Sequence, residues 1–202
     1  MEERIAALSH LMVDDPFAQK GSWKELFSEQ GELYLELGCG KGKFLTGCAL
    51  AKGDAGYIGI EGQDSVLLRA LEKTEQAQIG NIRFVCVFVK DIRDLFQDRE
   101  LAGIYLNFSD PWPKARHAKR RLTYGERLVQ YKQVLKTDGF IAIKTDNDAL
   151  FDFTLEEIER KGLEIKEMTR DLHASGYEAK EITTEYEERF REAGKNINYV
   201  LL

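Results

Sequence analysis

Cysteine, histidine and long apolar runs are all in short supply in this chain of 202 residues. Its three cysteines are scattered without a Cys-x-x-Cys pair, which is typical of reduced thiols in the cytosol rather than of a disulfide framework. The three histidines are equally dispersed, so we predict no metal site. No apolar run approaches membrane-spanning length, and no signal peptide opens the chain. We therefore expect a cytoplasmic protein that has no membrane partner.

Positive charge is in the minority, because 29 Lys and Arg face 35 Asp and Glu, which gives a formal net charge of −6. That balance argues against a nucleic-acid partner, yet the distribution of charge matters more than its sum. One segment, residues 114–121, is densely basic and contains no acid. Its basic residues are Lys114, Arg116, Lys119, Arg120 and Arg121. Most basic runs are solvated surface, and the alternative is a strip that binds the phosphates of a nucleic acid.

Short apolar runs alternate with helix-like segments along most of the chain. The strand-like runs are 33–37, 57–60, 82–89, 104–108 and 140–143, and the helix-like segments between them are 44–52, 65–78, 92–96 and 123–136. This rhythm predicts an α/β protein with a parallel sheet and right-handed crossovers. A turn at 137–139, a helix at 150–161, a strand at 163–168, a helix near 185–192 and a β-like run at 197–202 complete the pattern. We expect one domain over residues 1–202, with a short helical extension over residues 1–30.

A glycine-rich loop follows the first predicted strand and opens a helix. It reads Glu36-Leu37-Gly38-Cys39-Gly40-Lys41-Gly42. Its third glycine comes one residue too early for the dinucleotide fingerprint, and the Walker pattern is absent, so a cofactor without a pyrophosphate fits better. An acid about 20 residues further on, Glu61, ends the second strand and can accept hydrogen bonds from both hydroxyls of a ribose. The alternatives are a simple strand-to-helix turn and a solvated carboxylate, and the βαβ context favours the ligand site.

The segment of residues 107–114 is the most informative part of the chain. It reads Asn107-Phe108-Ser109-Asp110-Pro111-Trp112-Pro113-Lys114 and directly follows an apolar run. Each proline fixes its own φ and pushes the residue before it out of the helical region, so we expect a stiff exit that holds Asp110 near the strand end. Ligands of open α/β sheets bind at the carboxyl ends of strands. A carboxylate beside an aromatic ring at that place suits a planar base held next to a reactive cofactor.

Together these motifs resemble those of a known family. The glycine loop together with Glu61 resembles the pattern of class I S-adenosylmethionine-dependent methyltransferases. The later motifs are more specific and are similar to those of the bacterial tRNA (guanine-N7-)-methyltransferase family. They are residues 107–114 with Arg120-Arg121-Leu122, then Lys144-Thr145-Asp146-Asn147, then Thr184-Glu185-Tyr186-Glu187. The resemblance runs from about residue 33 to the end of the chain.

The resemblance implies both a fold and an activity. The implied fold is Rossmann-like and doubly wound, with a mostly parallel seven-stranded sheet and an antiparallel C-terminal strand. The implied enzyme is a tRNA (guanine(46)-N7)-methyltransferase, which moves the methyl group of S-adenosylmethionine to N7 of a variable-loop guanosine and releases S-adenosylhomocysteine without a metal. Its partner is tRNA, and it is expected to act as a monomer or a homodimer.

For the cofactor, the resemblance implies contacts from Glu36 and from the glycines of the loop to the methionine part, and from Glu61 to the ribose. Those glycines are Gly38, Gly40 and Gly42. The family usually has an acid or amide near the adenine, where this chain has Phe88. We expect Phe88 to stack on the adenine, with main-chain groups of residues 88 and 89 supplying the hydrogen bonds; the alternative contact is Asp91, three positions further on. Asp110 is also expected beside the cofactor.

For the substrate, the resemblance implies that Asp110 is catalytic. Guanine N7 carries a lone pair and no proton, so the carboxylate is expected to orient the ring and offset developing positive charge rather than to remove a proton. Lys114 and Asp146 are implied substrate contacts, although Asp146 has the alternative role of capping a helix. The last motif lines the substrate site in the family and has the alternative role of a capping box. Its implied contacts are Thr184, Glu185, Tyr186 and Glu187.

Two other functions compete with this interpretation. One is a methyltransferase that acts on a small molecule or a protein, which the basic segment disfavours. The other is a non-catalytic module that binds RNA or a nucleotide, and the departure at Phe88 is the feature that favours it. The fold alone does not decide among them, because function is a property of the site.

Overall fold

The computed structural model describes residues 1–28 and 31–202. It contains seven strands and six α-helices in these residues. The strands are β1 (Leu33–Leu37), β2 (Gly56–Glu61), β3 (Ile82–Cys86), β4 (Leu101–Asn107), β5 (Leu135–Thr145), β6 (Glu167–Thr169) and β7 (Asn198–Leu201). The helices are α1 (Glu2–Ala7), α2 (Lys43–Ala51), α3 (Asp64–Gln76), α4 (Gly125–Val134), α5 (Asp148–Arg160) and α6 (Glu185–Glu192).

The strands form one sheet in the order β3-β2-β1-β4-β5-β7-β6. Strands β1 to β5 pair in parallel, whereas β7 runs antiparallel to both of its neighbours, β5 and β6. The strand order therefore confirms the seven-stranded, doubly wound fold with an antiparallel C-terminal strand. The order reverses between β1 and β4, so the loops that leave these two strands open a crevice at their carboxyl ends.

Alternation of side chains along β1 builds an apolar layer on each face of the sheet. Leu33, Leu35 and Leu37 are buried in one cluster, which also contains the β4 residues Ile104 and Leu106. Tyr34 points to the other face, where the second cluster lies. That cluster is formed by α2, α3 and their strands, with Phe44, Leu45, Leu67, Leu71 and Phe84 among its buried members. Successive side chains of a strand face opposite sides, and helices cover both.

Several predicted boundaries differ from the structure. The turn predicted at 137–139 is a bulge within β5. Leu101 pairs with Leu135, and Gly103 pairs with Phe140. One residue of β4 between these pairs therefore lies opposite four residues of β5. The third strand ends at Cys86 rather than 89, because its partner β2 ends at Glu61. The predicted helix at 92–96 is a single 3₁₀ turn, Ile92–Asp94, and the strand predicted at 163–168 is shorter and later.

The amino-terminal part is helical only in short pieces. After α1 come two 3₁₀ helices, Ser9–Leu11 and Trp23–Leu26. Residues 29 and 30 of the predicted extension lie outside the described residues, and the division into domains stays a prediction. Within residues 1–28 and 31–202, no helix combines the length and apolarity needed to cross a membrane.

Candidate active site

The glycine loop leaves open space at the end of β1. Gly38, Gly40 and Gly42 have φ values of 76°, 55° and 76°, a region that favours glycine. A Cβ added at Gly38 or Gly40 would meet no atom within 4 Å, whereas one at Gly42 would lie 2.8 Å from Ala70. The first two glycines therefore keep the crevice open, and the third lets α2 pack closely on α3.

Glu36 places a buried carboxyl group behind this loop. The residue is 2% exposed, and Asn107 Nδ2 donates a hydrogen bond to Glu36 Oε1 at 2.8 Å. The other oxygen, Oε2, is buried without a hydrogen-bond partner. Burial raises the pKa of Glu36 to about 8, and the Asn107 hydrogen bond only partly offsets it. An unsatisfied buried acceptor in a ligand crevice calls for a donor or a cation from outside the chain.

Glu61, at the end of β2, is fixed by backbone donors. Gly40 N donates to Glu61 Oε2 and Gln63 N donates to Oε1, both at 3.1 Å. Each carboxylate oxygen can accept a further hydrogen bond, since an ionised carboxylate has about four acceptor positions. The carboxylate is thus oriented and still able to accept from two hydroxyl groups.

Phe88 presents an aromatic ring beside Glu61. The residue lies just beyond β3 and is 77% exposed. Its ring packs on Gly62, where an added Cβ would lie 2.3 Å from a ring carbon. The Phe88 ring is therefore exposed to solvent next to Glu61, the residue expected to bind the ribose. A ring that stacks on the adenine is expected at this place.

The Asp-Pro-Trp-Pro turn, residues 110–113, is strained on both sides of Asp110. Phe108 has a φ of 51° and Trp112 a φ of 42°, values that are uncommon for residues other than glycine and cost about 1–3 kcal/mol each. Trp112, which precedes Pro113, is outside the right-handed helical region, as expected for a residue before proline, although it lies at positive φ rather than in an extended conformation. Asp110 itself is exposed, as is Lys114. Such strain often marks a functional turn.

Arg121 faces inward, unlike the rest of the basic segment. Its Nε donates to the carbonyl of Pro111 at 2.9 Å and its Nη2 to that of Trp112 at 3.0 Å. These two bonds occupy donors that Arg121 would need in order to bind a phosphate. The other four basic residues of the segment are exposed. They are Lys114, Arg116, Lys119 and Arg120.

The motif of residues 184–187 begins α6 with a capping box. Glu187 N donates to Thr184 Oγ1 at 2.9 Å, and Thr184 N donates to Glu187 Oε2 at 3.4 Å. Tyr186 is 54% exposed and stacks on Phe108, with ring centroids 6.4 Å apart and planes at 28°. Glu185 forms an ion pair with Lys73 of α3. The stack joins this motif to the strand that carries the Asp-Pro-Trp-Pro turn.

Glu187 lies behind this surface, in a buried ion pair. Its Oε2 is 3.1 Å from Lys144 Nζ, and the two side chains are 0% and 3% exposed. Lys144 Nζ also donates to the carbonyl of Ile182 at 2.9 Å, and His173 Nε2 lies 2.8 Å from Glu187 Oε1. Burial lowers the pKa of Lys144, and Glu187 opposes that effect. In this arrangement Glu187 holds the segment in place instead of offering its carboxylate to a ligand.

His173 has no role predicted from the sequence, and Lys144 is named there only as part of a motif. Lys144 carried a signal, because a lysine one residue before the end of an apolar strand has to be satisfied once it is buried. His173 lies in a polar stretch with no periodicity, and nothing in its sequence context links it to Glu187.

Asp146 does not cap the helix that follows it. The N-cap of α5 is Asn147, whose side chain accepts a hydrogen bond from Leu150 N at 2.8 Å. The alternative role for Asp146 is therefore wrong. Its carboxylate instead lies 3.0 Å from Lys195 Nζ.

The structure thus brings together several predicted groups at the carboxyl edge of the sheet. Asn107 links Glu36 to the end of β4, and the Phe108–Tyr186 stack links β4 to α6. Among residues 1–28 and 31–202, no three His, Cys, Asp or Glu side chains are grouped so as to hold a metal ion. The metal-free site stays a prediction.

Comparison with known proteins places these features in a family. A family model described as "Putative methyltransferase" matches residues 30–200. A tRNA (guanine-N(7)-)-methyltransferase of Lachnoclostridium phytofermentans is 47% identical over 192 residues, covering 95% of this chain and 90% of that protein. One of Brevibacillus brevis is 45% identical over 185 residues, covering 92% and 86%. A solved antibiotic-related methyltransferase has a similar fold, with a TM-score of 0.66, 17% identity and coverage of 94% and 95%.

The fold and the glycine loop define a class I methyltransferase. Because the sequence matches extend over nearly the whole chain at more than 40% identity, the chain belongs to the tRNA (guanine-N7-)-methyltransferase family.

Proposed function

We propose that this protein transfers the methyl group of S-adenosylmethionine to N7 of a guanosine in tRNA, at position 46 of the variable loop. The observation that carries the proposal is the unpartnered oxygen of Glu36 beside the open glycine loop, in a chain 47% identical to a tRNA (guanine-N(7)-)-methyltransferase. Such a site is built to receive a cationic ligand at the switch point of the sheet.

The residues of the crevice fit S-adenosylmethionine. Its amino acid part carries an ammonium group, and Glu36 Oε2 is a buried acceptor that needs such a partner. Gly38 and Gly40 leave room for the ligand, Glu61 accepts from the ribose hydroxyls, and the exposed ring of Phe88 stacks on the adenine. When bound, the cofactor supplies an activated methyl group and leaves as S-adenosylhomocysteine.

The remaining residues position guanine. N7 is an acceptor without a proton, so no base has to remove one. Asp110 accepts hydrogen bonds from the donor groups of the ring and compensates the positive charge that the purine gains. Tyr186 offers a stacking face, Glu185 and Asp146 offer acceptors, and Thr184 and Glu187 hold the segment that carries Tyr186. Correct placement of the reacting groups supplies most of the rate enhancement in such a reaction.

The exposed basic residues supply the contact with the tRNA backbone. Lys114 directly follows the Asp-Pro-Trp-Pro turn, and Ala115–Arg120 forms a 3₁₀ helix that carries the others. Folded RNA is recognised through its backbone and its splayed bases, so the strip holds the tRNA while the target base enters the site. The protein acts in the cytoplasm, where its tRNA substrates are, as a monomer or a homodimer.

The test is to incubate the purified protein with labelled S-adenosylmethionine and unmodified tRNA and to map the modified nucleotide. We expect label at N7 of the variable-loop guanosine, with an Asp110→Asn protein as the control for slow transfer. Label on another atom or nucleotide would overturn the proposed function. Binding of tRNA without any transfer would favour the non-catalytic RNA-binding module instead.

A further inference from the structure

Two adjacent arginines, Arg120 and Arg121, contact different groups of the Asp-Pro-Trp-Pro turn. Arg120 is exposed, and its guanidinium carbon lies 4.9 Å from the centroid of the Trp112 ring. Arg121 is half-buried and donates to the main chain of the Asp-Pro-Trp-Pro turn. Neighbouring residues of one type therefore have different partners, and they provide a matched pair for experiment.

Arg121 holds two consecutive carbonyl groups with two different nitrogens. Its Nε donates to Pro111 O and its Nη2 to Trp112 O, at 2.9 and 3.0 Å. The other side of the contact is Phe153 of α5, whose ring centroid lies 4.2 Å from the guanidinium carbon. Only a planar guanidinium has several donors in a fixed fork and a flat face for stacking, so lysine cannot reproduce this set of contacts.

The turn needs such a constraint because its backbone is strained. Phe108 and Trp112 both have positive φ values, and such residues persist only where the surroundings over-determine them. The Phe108 side of the turn is fixed by its own amide, which donates to Lys144 O at 2.8 Å, and by the stack on Tyr186. The Trp112 side is fixed by Arg121. Asp110 lies between these two anchored residues.

We propose that Arg121 is a positioning residue that sets where the Asp110 carboxylate stands, and that it makes no contact with RNA phosphate. The inference rests on the proposed function, because it assigns Arg121 a part in the same methyl transfer. On this proposal the basic segment has two parts: exposed residues that bind tRNA, and one half-buried arginine, Arg121, that positions Asp110.

The first test compares Arg121→Lys with wild type in steady-state methylation of tRNA across a range of salt concentrations. We expect kcat to fall by about 10- to 100-fold, the range for misplacement of a reacting group by about 1 Å. We expect the KM for tRNA and the salt dependence of binding to stay at the wild-type values. Arg120→Gln should give the opposite pattern, with weaker tRNA binding and a salt slope lower by about 1.

Arg170→Lys is the matched control for the chemical change. Arg170 is also stacked on an α5 phenylalanine, Phe151, and paired with a carboxylate of α5, but it lies outside the site. It should leave kcat unchanged. Phe153→Leu, which removes the stacking face and keeps the arginine, should lower kcat in the same direction as Arg121→Lys and by a smaller factor. Wild-type kcat in Arg121→Lys would overturn the inference, and so would a salt slope lower by about 1 in Arg121→Gln, which removes the charge.

Tryptophan fluorescence tests the same contact without any turnover. The chain has two tryptophans, and Trp23 is fully buried, so acrylamide mainly reports on Trp112. Arg121→Lys should make Trp112 easier to quench, and Arg170→Lys should not. If wild type fails to methylate tRNA, the proposed function fails, while the difference in quenching still decides whether Arg121 constrains the turn. Equal quenching in wild type and Arg121→Lys would show that it does not.

Discussion

The buried carboxyl group of Glu36 makes a quantitative prediction for the pH dependence of stability. In the folded protein its pKa is about 8, against 4.5 for the unperturbed group, because burial disfavours the charged form. The unfolded chain therefore releases this proton near pH 4.5, whereas the folded protein holds it until about pH 8. Between these values the unfolded state binds fewer protons, so the free energy of unfolding falls as the pH rises. The stabilisation is complete below pH 4.5 and is lost by about pH 8.

The size of the effect follows from the two pKa values. Each tenfold change in acid dissociation corresponds to about 1.4 kcal/mol, so Glu36 lowers stability by on the order of 5 kcal/mol across this range in the absence of a ligand. Glu36→Gln removes the titration and keeps an oxygen that can accept from Asn107. The free energy of unfolding of Glu36→Gln, relative to that of wild type, should therefore rise by about 1.4 kcal/mol for each pH unit between pH 5 and pH 8.

Urea denaturation of both proteins at a series of pH values measures this difference, with the fluorescence of the buried Trp23 as the signal. Titration of groups distant from Glu36 cancels between the two proteins. Curves of stability against pH that stay parallel for wild type and Glu36→Gln would refute the assignment of Glu36 as a buried, neutral carboxyl group in the free protein.

Three further substitutions test other parts of the site. Asp110→Ala should lower the single-turnover rate on the order of 100-fold and leave cofactor affinity by calorimetry nearly intact; an unchanged rate would remove Asp110 from the reaction. Phe88→Ala should weaken cofactor binding by about 1 kcal/mol, roughly fivefold, through loss of stacking, and an unchanged Kd would show that the ring does not face the adenine. Lys144→Met should cost about 3–5 kcal/mol of stability by leaving the buried Glu187 carboxylate without its lysine partner, and adding Glu187→Gln should restore most of it. A loss below about 1 kcal/mol in the single variant would contradict the burial of that pair.

The elements that sequence reasoning placed best are those with a strong local pattern. The bounds of β1 agree with the prediction, since Leu33, Leu35 and Leu37 alternate and the glycine loop ends the strand. Residues 185–192 of α6 agree as well, because a capping box is a local signal. Where the constraint comes from a neighbouring strand, as for the end of β3, the local pattern gives no warning.

The direction in which a side chain points could not be predicted from the sequence, for a different reason. Arg120 and Arg121 are identical in type and adjacent, yet only the packing of Phe153 and the path of the turn decide which of them faces inward. Asp146 and Asn147 are both good N-caps, and the choice between them depends on where β5 ends and α5 begins. Tertiary contacts settle these choices, and they are absent from any local pattern.

The most direct test of the central claim uses a tRNA in which the accepting guanosine is replaced by 7-deazaguanosine. This base keeps the donor groups that Asp110 is proposed to orient but has no nitrogen at position 7. The protein should bind this tRNA as tightly as the unmodified one and transfer no methyl group to it. Methyl transfer to the deaza-substituted tRNA at the normal rate would contradict N7 as the acceptor and, with it, the proposed reaction.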